Sequence, residues 1–167
     1  GRTVLAPPFS GPPDVGPGLR GPGGARTLFF VGAFPGPRPV SRYVSGDLAI
    51  RLSALGWKTM VTSRRSGRVT RLLDMVQKII RSRRDYAVAC VDVFSGPGFI
   101  WAEIACAVLK WLGKPIVLTL HGGNLPQFSE RHPARVRRLL SMASAVTCPS
   151  SYLCSELERF RPDLLLF

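Results

Sequence analysis

The residues best suited to chemistry sit where an apolar run, Pro115 to Leu120 (PIVLTL), gives way to His121-Gly122-Gly123-Asn124. A histidine at the tip of a buried strand, followed by two glycines, places an imidazole on the floor of a cleft, and the glycines let a ligand approach the backbone closely. Asn124 adds a donor and an acceptor. On position alone two roles stay open for His121: a ligand-facing imidazole, or a ring that bonds a loop carbonyl above a glycine turn. His132, the other histidine, precedes Pro133 at a helix start and reads as a solvated cap. Two further loops carry unusual residues, Phe34-Pro35-Gly36-Pro37-Arg38-Pro39-Val40-Ser41-Arg42 and Ser95-Gly96-Pro97-Gly98.

The first of these loops is a glycine-containing turn feeding a helix N-terminus, which suits phosphate because unpaired amides and the helix dipole point at it. The dinucleotide pattern G-x-G-x-x-G is missing, since the stretch offers only Gly32 and Gly36. Ser63, Arg64 and Arg65 stand where a ribose-binding acid belongs, so an NAD enzyme is disfavoured. No G-x-x-x-x-G-K-[ST] occurs either, because Gly113-Lys114 is followed by Pro115. His-Gly-Gly after a strand also suits the oxyanion motif of a hydrolase, but that chemistry needs a downstream G-x-S-x-G elbow. Ser150 and Ser151 follow Pro149 without flanking glycines. Cys90, Cys106, Cys148 and Cys154 form no C-x-x-C pair, and three of them lie in apolar stretches as small buried hydrophobes. No metal motif is found, and the expectation is no metal and no bound cofactor.

Such loops need a scaffold, and the chain alternates accordingly. Thr27 to Ala33 reads as a strand, and Val44, Leu48, Leu52 and Leu55 recur at helical spacing up to Gly56. Trp57 to Thr62 is a second strand; Val69, Leu72, Leu73, Val76, Ile79 and Ile80 make one helical stripe; Tyr86 to Phe94 is a buried strand. A helix follows through Ile100, Trp101, Ile104, Ala105, Val108, Leu109 and Leu112, closed by Gly113. Pro115 to Leu120 is a fourth strand, Pro133 to Met142 a helix opening on proline, Ala145 to Cys148 a short strand, and Ser151 to Phe160 a helix with a serine cap. Leu164 to Phe167 begins another strand. Strands alternating with helices mean right-handed crossovers and an α/β fold: a single Rossmann-like, doubly wound parallel sheet. In such sheets ligands bind beyond the carboxyl ends of the strands, so the three loops, Ser95 and Gly96 included, open on one edge.

The 167 residues suffice for one domain, and 46% hydrophobic with 20% charged residues excludes a disordered, collagenous or coiled-coil chain. The longest apolar candidate, Phe99 to Leu112, is broken by Glu103 and Lys110 and falls short of a membrane span. Residues 1–26 hold 13 Gly or Pro and read as a disordered leader outside the fold. The start carries no secretory signal pattern, and together with the cysteine usage this points to a cytoplasmic protein. A net charge of +13 attracts polyanions without choosing among them. Eight basic residues lie between Arg64 and Arg84, with Arg71, Lys78 and Arg81 opposite the apolar stripe; Arg131, Arg135, Arg137 and Arg138 form a second cluster. They are read as a solvated face or as a dock for an anionic membrane surface. Nucleic acid is not supported, for no aromatic platform is interleaved with the charge.

Thr27 to Thr62, with its strand, Pro-rich loop and GDLAIRLSALGWKTMVTS, resembles the opening of the GT-B glycosyltransferases of family 4. Lys114 to Asn124 (KPIVLTLHGGN) is similar to that family's fourth strand with its histidine tip, and Ala145 to Leu153 (AVTCPSSYL) to its strand entering a serine-rich helix start. The likeness runs over about Thr27 to Phe167. It implies two Rossmann-like lobes around a cleft, the N-terminal one holding the acceptor and the C-terminal one most of the nucleotide-sugar. Residues 27–167 match the first lobe, half of a GT-B architecture, with the donor-binding lobe absent. His121 would then be the catalytic-site residue near the reacting sugar, assisting orientation and charge rather than acting as nucleophile. Gly122, Gly123 and Asn124 would line its pocket, and Gly36, Arg38, Ser41 and Arg42 would approach the donor diphosphate and acceptor. The family has Gly-Gly where Arg38-Pro39-Val40-Ser41 stands here, so Arg38 or Arg42 would supply charge in place of close backbone contact. The implied function is the acceptor-binding lobe of a retaining glycosyltransferase, inactive alone, that uses a nucleotide-sugar and a glycan or lipid-linked acceptor. The alternative is a non-catalytic Rossmann-like binding module or an incomplete gene product.

Overall fold

The computed structural model describes residues 27–32, 51–54, 56–62, 68–122 and 124–166. The expected leader 1–26, the whole of the first loop (34–42) and the expected helical positions Val44, Leu48 and Leu55 lie outside the described residues. The elements are β1 (Thr27–Val31), β2 (Lys58–Val61), α1 (Arg68–Arg81), β3 (Val88–Val93), α2 (Pro97–Trp111), β4 (Ile116–Leu120), α3 (Leu125–Arg131), α4 (Pro133–Ser141), β5 (Ala145–Cys148), α5 (Ser151–Leu157) and β6 (Leu164–Leu166). The strands form one six-stranded parallel sheet in the order β2-β1-β3-β4-β5-β6. This is the Rossmann-like architecture expected from the alternation.

Strand alternation divides the core in two. Phe29, Val31, Ala89, Val91, Ile116, Leu118, Val146 and Cys148 point into a large cluster, where Met75, Ile79, Leu109, Leu125, Leu139 and Leu157 from all five helices meet them. Leu28, Phe30, Val88 and Cys90 point the other way, into a smaller cluster joined by Leu52, Trp57 and Val61. The placing of the helices follows from winding. From β2 onward every crossover advances in one direction, so right-handedness sends α1 to α5 to the same face. Only β1 to β2 steps backwards, and the helical residues 51–54 on that connection accordingly bring Leu52 to the opposite face.

Several local expectations shift. Leu73 is not part of the buried stripe of α1; it is 65% exposed, and Met75 with Ile79 makes the seam instead, because Leu73 stands one residue round from Leu72. Ile100 is likewise exposed. Helix α3 was not expected. It carries Pro126, but in a first turn proline sacrifices no intrahelical bond, and Leu125, Pro126 and Ser129 are buried. The cap of α5 is Ser150, whose Oγ accepts from the Leu153 amide at 3.3 Å, and the helix ends at Leu157 rather than Phe160. Gly56 and Gly113 end their helical segments with φ of 82° and 66°, as expected. Among the described residues no helix is long and apolar enough to cross a membrane.

Cys90, Cys106 and Cys148 are buried, Cys154 is half-buried, and all four are free. Burial pushes the thiols of Cys90, Cys106 and Cys148 up to about 12, so they stay protonated at any ordinary pH. Titration of the native chain with a thiol-reactive disulfide at pH 8 is therefore expected to modify no more than Cys154. All four should react after denaturation; rapid labelling of two or more native thiols would contradict the packing.

Candidate functional site

Register builds the site. Val31 pairs with Val91 and Asp92 with Thr119, so the next position after β1, Gly32, falls beside Asp92, and His121 follows two residues beyond Thr119 on the same face. The His121 amide extends the ladder by donating to the Val93 carbonyl at 3.0 Å. Asp92 thereby lies within reach of the imidazole, and its Oδ1 is 2.9 Å from His121 Nε2. Since Val93 pairs with Leu120, Phe94 and His121 come side by side, and their rings stack with centroids 4.4 Å apart and planes 10° apart.

The carboxylate fits only because residue 32 has no side chain. A Cβ built on Gly32 would overlap Asp92 Oδ2 and lie 3.0 Å from its Cγ. Gly32 is itself clamped by Thr62, whose Oγ1 donates to the Gly32 carbonyl at 3.2 Å and accepts from its amide at 3.4 Å. Thr62, Gly32, Asp92 and His121 thus form a row across β2, β1, β3 and β4, spanning the β1/β3 point where strand order reverses. That is where an open α/β sheet binds ligands.

The Asp92 side chain is 9% exposed and that of His121 16%. A carboxylate this buried needs donors, and the imidazole supplies one while staying partly exposed itself. A cavity of about 30 Å³ borders Gly32, Asp92, Phe94 and Trp101. Ligand pockets run to roughly 300–1,000 Å³. This cavity is far smaller than that.

Among the sequence-derived candidates, the structure brings Ser95, Gly96, His121 and Gly122 to the ends of the adjacent strands β3 and β4. Gly96, with φ of 67°, precedes α2 without a side-chain capping bond. Asn124 is exposed at the start of α3, and its side chain makes no capping bond either. Gly36, Arg38, Ser41, Arg42 and Gly123 lie outside the described residues. His121 bonds a carboxylate rather than a loop carbonyl. His132 is exposed as expected, but its side chain caps nothing; the ring rests 4.7 Å from that of Phe128.

Sequence reasoning missed Asp92, Phe94 and Thr62. Asp92 had a signal: it is the one charge inside YAVACVDVF, and a charge in a buried strand demands a partner. Thr62 had none, because its role depends on which strand lies beside β2. Among the described residues, several cations of the basic clusters have partners within the fold. Arg71 packs over the Trp101 ring at 5.7 Å, and Lys78 donates to the Val61 carbonyl at 3.0 Å. Arg135 is held by both carboxylate oxygens of Glu103 and lies over Phe99 and Phe128. Among the described residues no three His, Cys, Asp or Glu side chains gather to hold a metal ion.

The sequence matches the family model described as Glycosyltransferase Family 4 over residues 15–164. The match opens inside the Pro/Gly-rich stretch and ends in β6. No curated protein matches the chain.

Two glycines of the rim should respond in opposite ways to a methyl group. Gly32→Ala forces a clash with the Asp92 carboxylate and is expected to cost about 1–3 kcal/mol. Gly122→Ala meets nothing within 4 Å and should leave stability within about 0.5 kcal/mol. Urea midpoints decide; equal costs at both sites would contradict the close approach at Gly32.

Proposed function

We propose, since the chain belongs to glycosyltransferase family 4, that it is the acceptor-binding N-terminal lobe of a retaining transferase. In this reading the lobe meets a nucleotide-sugar held by a second lobe across the His121 rim. The sugar passes to a hydroxyl of a glycan or lipid-linked acceptor, the anomeric configuration is kept, and the nucleotide leaves. His121 contacts the reacting sugar and orients it. Gly122, Gly123 and Asn124 line the same pocket, Ser95 and Gly96 bind substrate beside it, and Gly36, Arg38, Ser41 and Arg42 approach the donor diphosphate and acceptor.

The observation that carries this reading is the imidazole at the carboxyl edge of β4, gripped by Asp92 and stacked on Phe94, in a chain whose family match includes both strands. The described residues form one sheet, half of the two-lobed GT-B architecture, so the reading gives the 167 residues no transfer activity of their own.

The chain mixed with a C-terminal lobe encoded beside it, and offered a panel of nucleotide-sugars, is expected to transfer sugar with retention. His121→Ala should lower that rate at least about tenfold, a loss of about 1.4 kcal/mol of transition-state stabilisation. Transfer by the chain alone, inversion at the anomeric carbon, or an unchanged rate in His121→Ala would overturn the reading.

A lipid-linked acceptor adds contact with an anionic membrane face. With Arg71, Lys78 and Arg135 engaged inside the fold, Arg81, Arg84, Arg131, Arg137 and Arg138, and Arg83 with one nitrogen on the Ile80 carbonyl, are the exposed cations of the two clusters among the described residues that could meet headgroups. Co-sedimentation with phosphatidylserine vesicles is expected at low ionic strength and should fall as salt rises. Absence of binding at low salt would reject the membrane contact.

A further inference from the structure

We propose that Asp92 is the positioning residue of the rim: its carboxylate fixes the His121 proton on Nε2, leaving Nδ1 as a hydrogen-bond acceptor for a sugar hydroxyl rather than a phosphate. The inference rests on the reading of the rim as a sugar-binding site, and its physical part stands on geometry. A carboxylate only accepts, so the ring nitrogen 2.9 Å from Asp92 Oδ1 must donate. In a neutral imidazole the other nitrogen then carries the lone pair. Phe94, stacked at 4.4 Å, holds the plane of the ring, while Asp92 holds its edge.

Charge narrows the ligand. Whether the ring is neutral or protonated, the Asp92–His121 pair bears no net positive charge. It therefore offers nothing to an anion, whereas a hydroxyl can donate to Nδ1. Stability alone does not call for this pair, since buried ion pairs replaced by packed apolar groups often leave stability unchanged or raised. Gly32 is kept bare to admit the carboxylate, and Thr62 holds Gly32; the row is arranged around one imidazole.

The test uses the full 167-residue chain, labelled with ¹⁵N, and multiple-bond ¹⁵N–¹H spectra of its imidazoles near neutral pH. The chain has 2 histidines, so His132→Gln assigns the signals. His121 is expected in the Nε2–H form. Asp92→Asn, whose amide can donate or accept, should let both tautomers populate. Thr62→Val, which loosens Gly32 without touching the pair, should lower the urea midpoint and leave the tautomer unchanged, so a general structural effect is separated from a specific one.

Inorganic phosphate is expected to leave the wild-type His121 ring signals in place. An Nδ1–H tautomer in the wild type, an unaltered pattern in Asp92→Asn, or displacement of the ring signals by phosphate would each overturn the inference. The wild-type spectrum decides alone if Asp92→Asn does not fold. Because these readouts need no turnover, a failed transfer assay would reject the transferase reading and not the role of Asp92.

Discussion

A carboxylate set into the end of a buried strand is the constraint around which this rim is built. Asp92 lies among Val88, Ala89, Cys90, Val91 and Val93, and a charge there is tolerated only with a donor at hand. The parallel register supplies that donor by placing Thr119 beside Asp92, so that His121, two residues further along the same face of β4, comes within reach. It also forbids a side chain at residue 32, the position facing Asp92 on β1. Three strands are tied together through one ionisable group, and the imidazole that results is oriented by its surroundings rather than by its own loop.

The winding of the sheet explains why this happens where it does. All crossovers after β2 run one way and load five helices on one face, which gathers the larger core there. The row from Gly32 through Asp92 to His121 continues the other face, the one on which the smaller cluster sits. The site thus borders the face opposite the five helices.

Charge shows how composition misleads when it is read without contacts. A balance of +13 looks like a uniform invitation to polyanions. Several cations of the two clusters are spent internally, however: Arg71 on Trp101, Lys78 on a strand carbonyl, Arg135 on Glu103 and two aromatic rings. Among the described residues, the exposed arginines of the two clusters lie at the end of α1 and around α4.

Alternation of apolar runs with helical stripes was enough to determine the strands, the parallel sheet and the edge on which His121 stands, because these follow from local periodicity and from the handedness of crossovers. The family likeness was legible in the same segments. Helix α3 was not, since proline at a first turn and proline in a loop look alike in one dimension. Nor was the exposure of Leu73, which depends on a rotation of one residue about the α1 axis. The partnership of Asp92 with His121, the bare α-carbon of Gly32 and the clamp of Thr62 were decided by tertiary structure alone. Each is a contact between neighbouring strands far apart in the chain, and only the strand order and register, set by packing of the whole sheet, bring those atoms together.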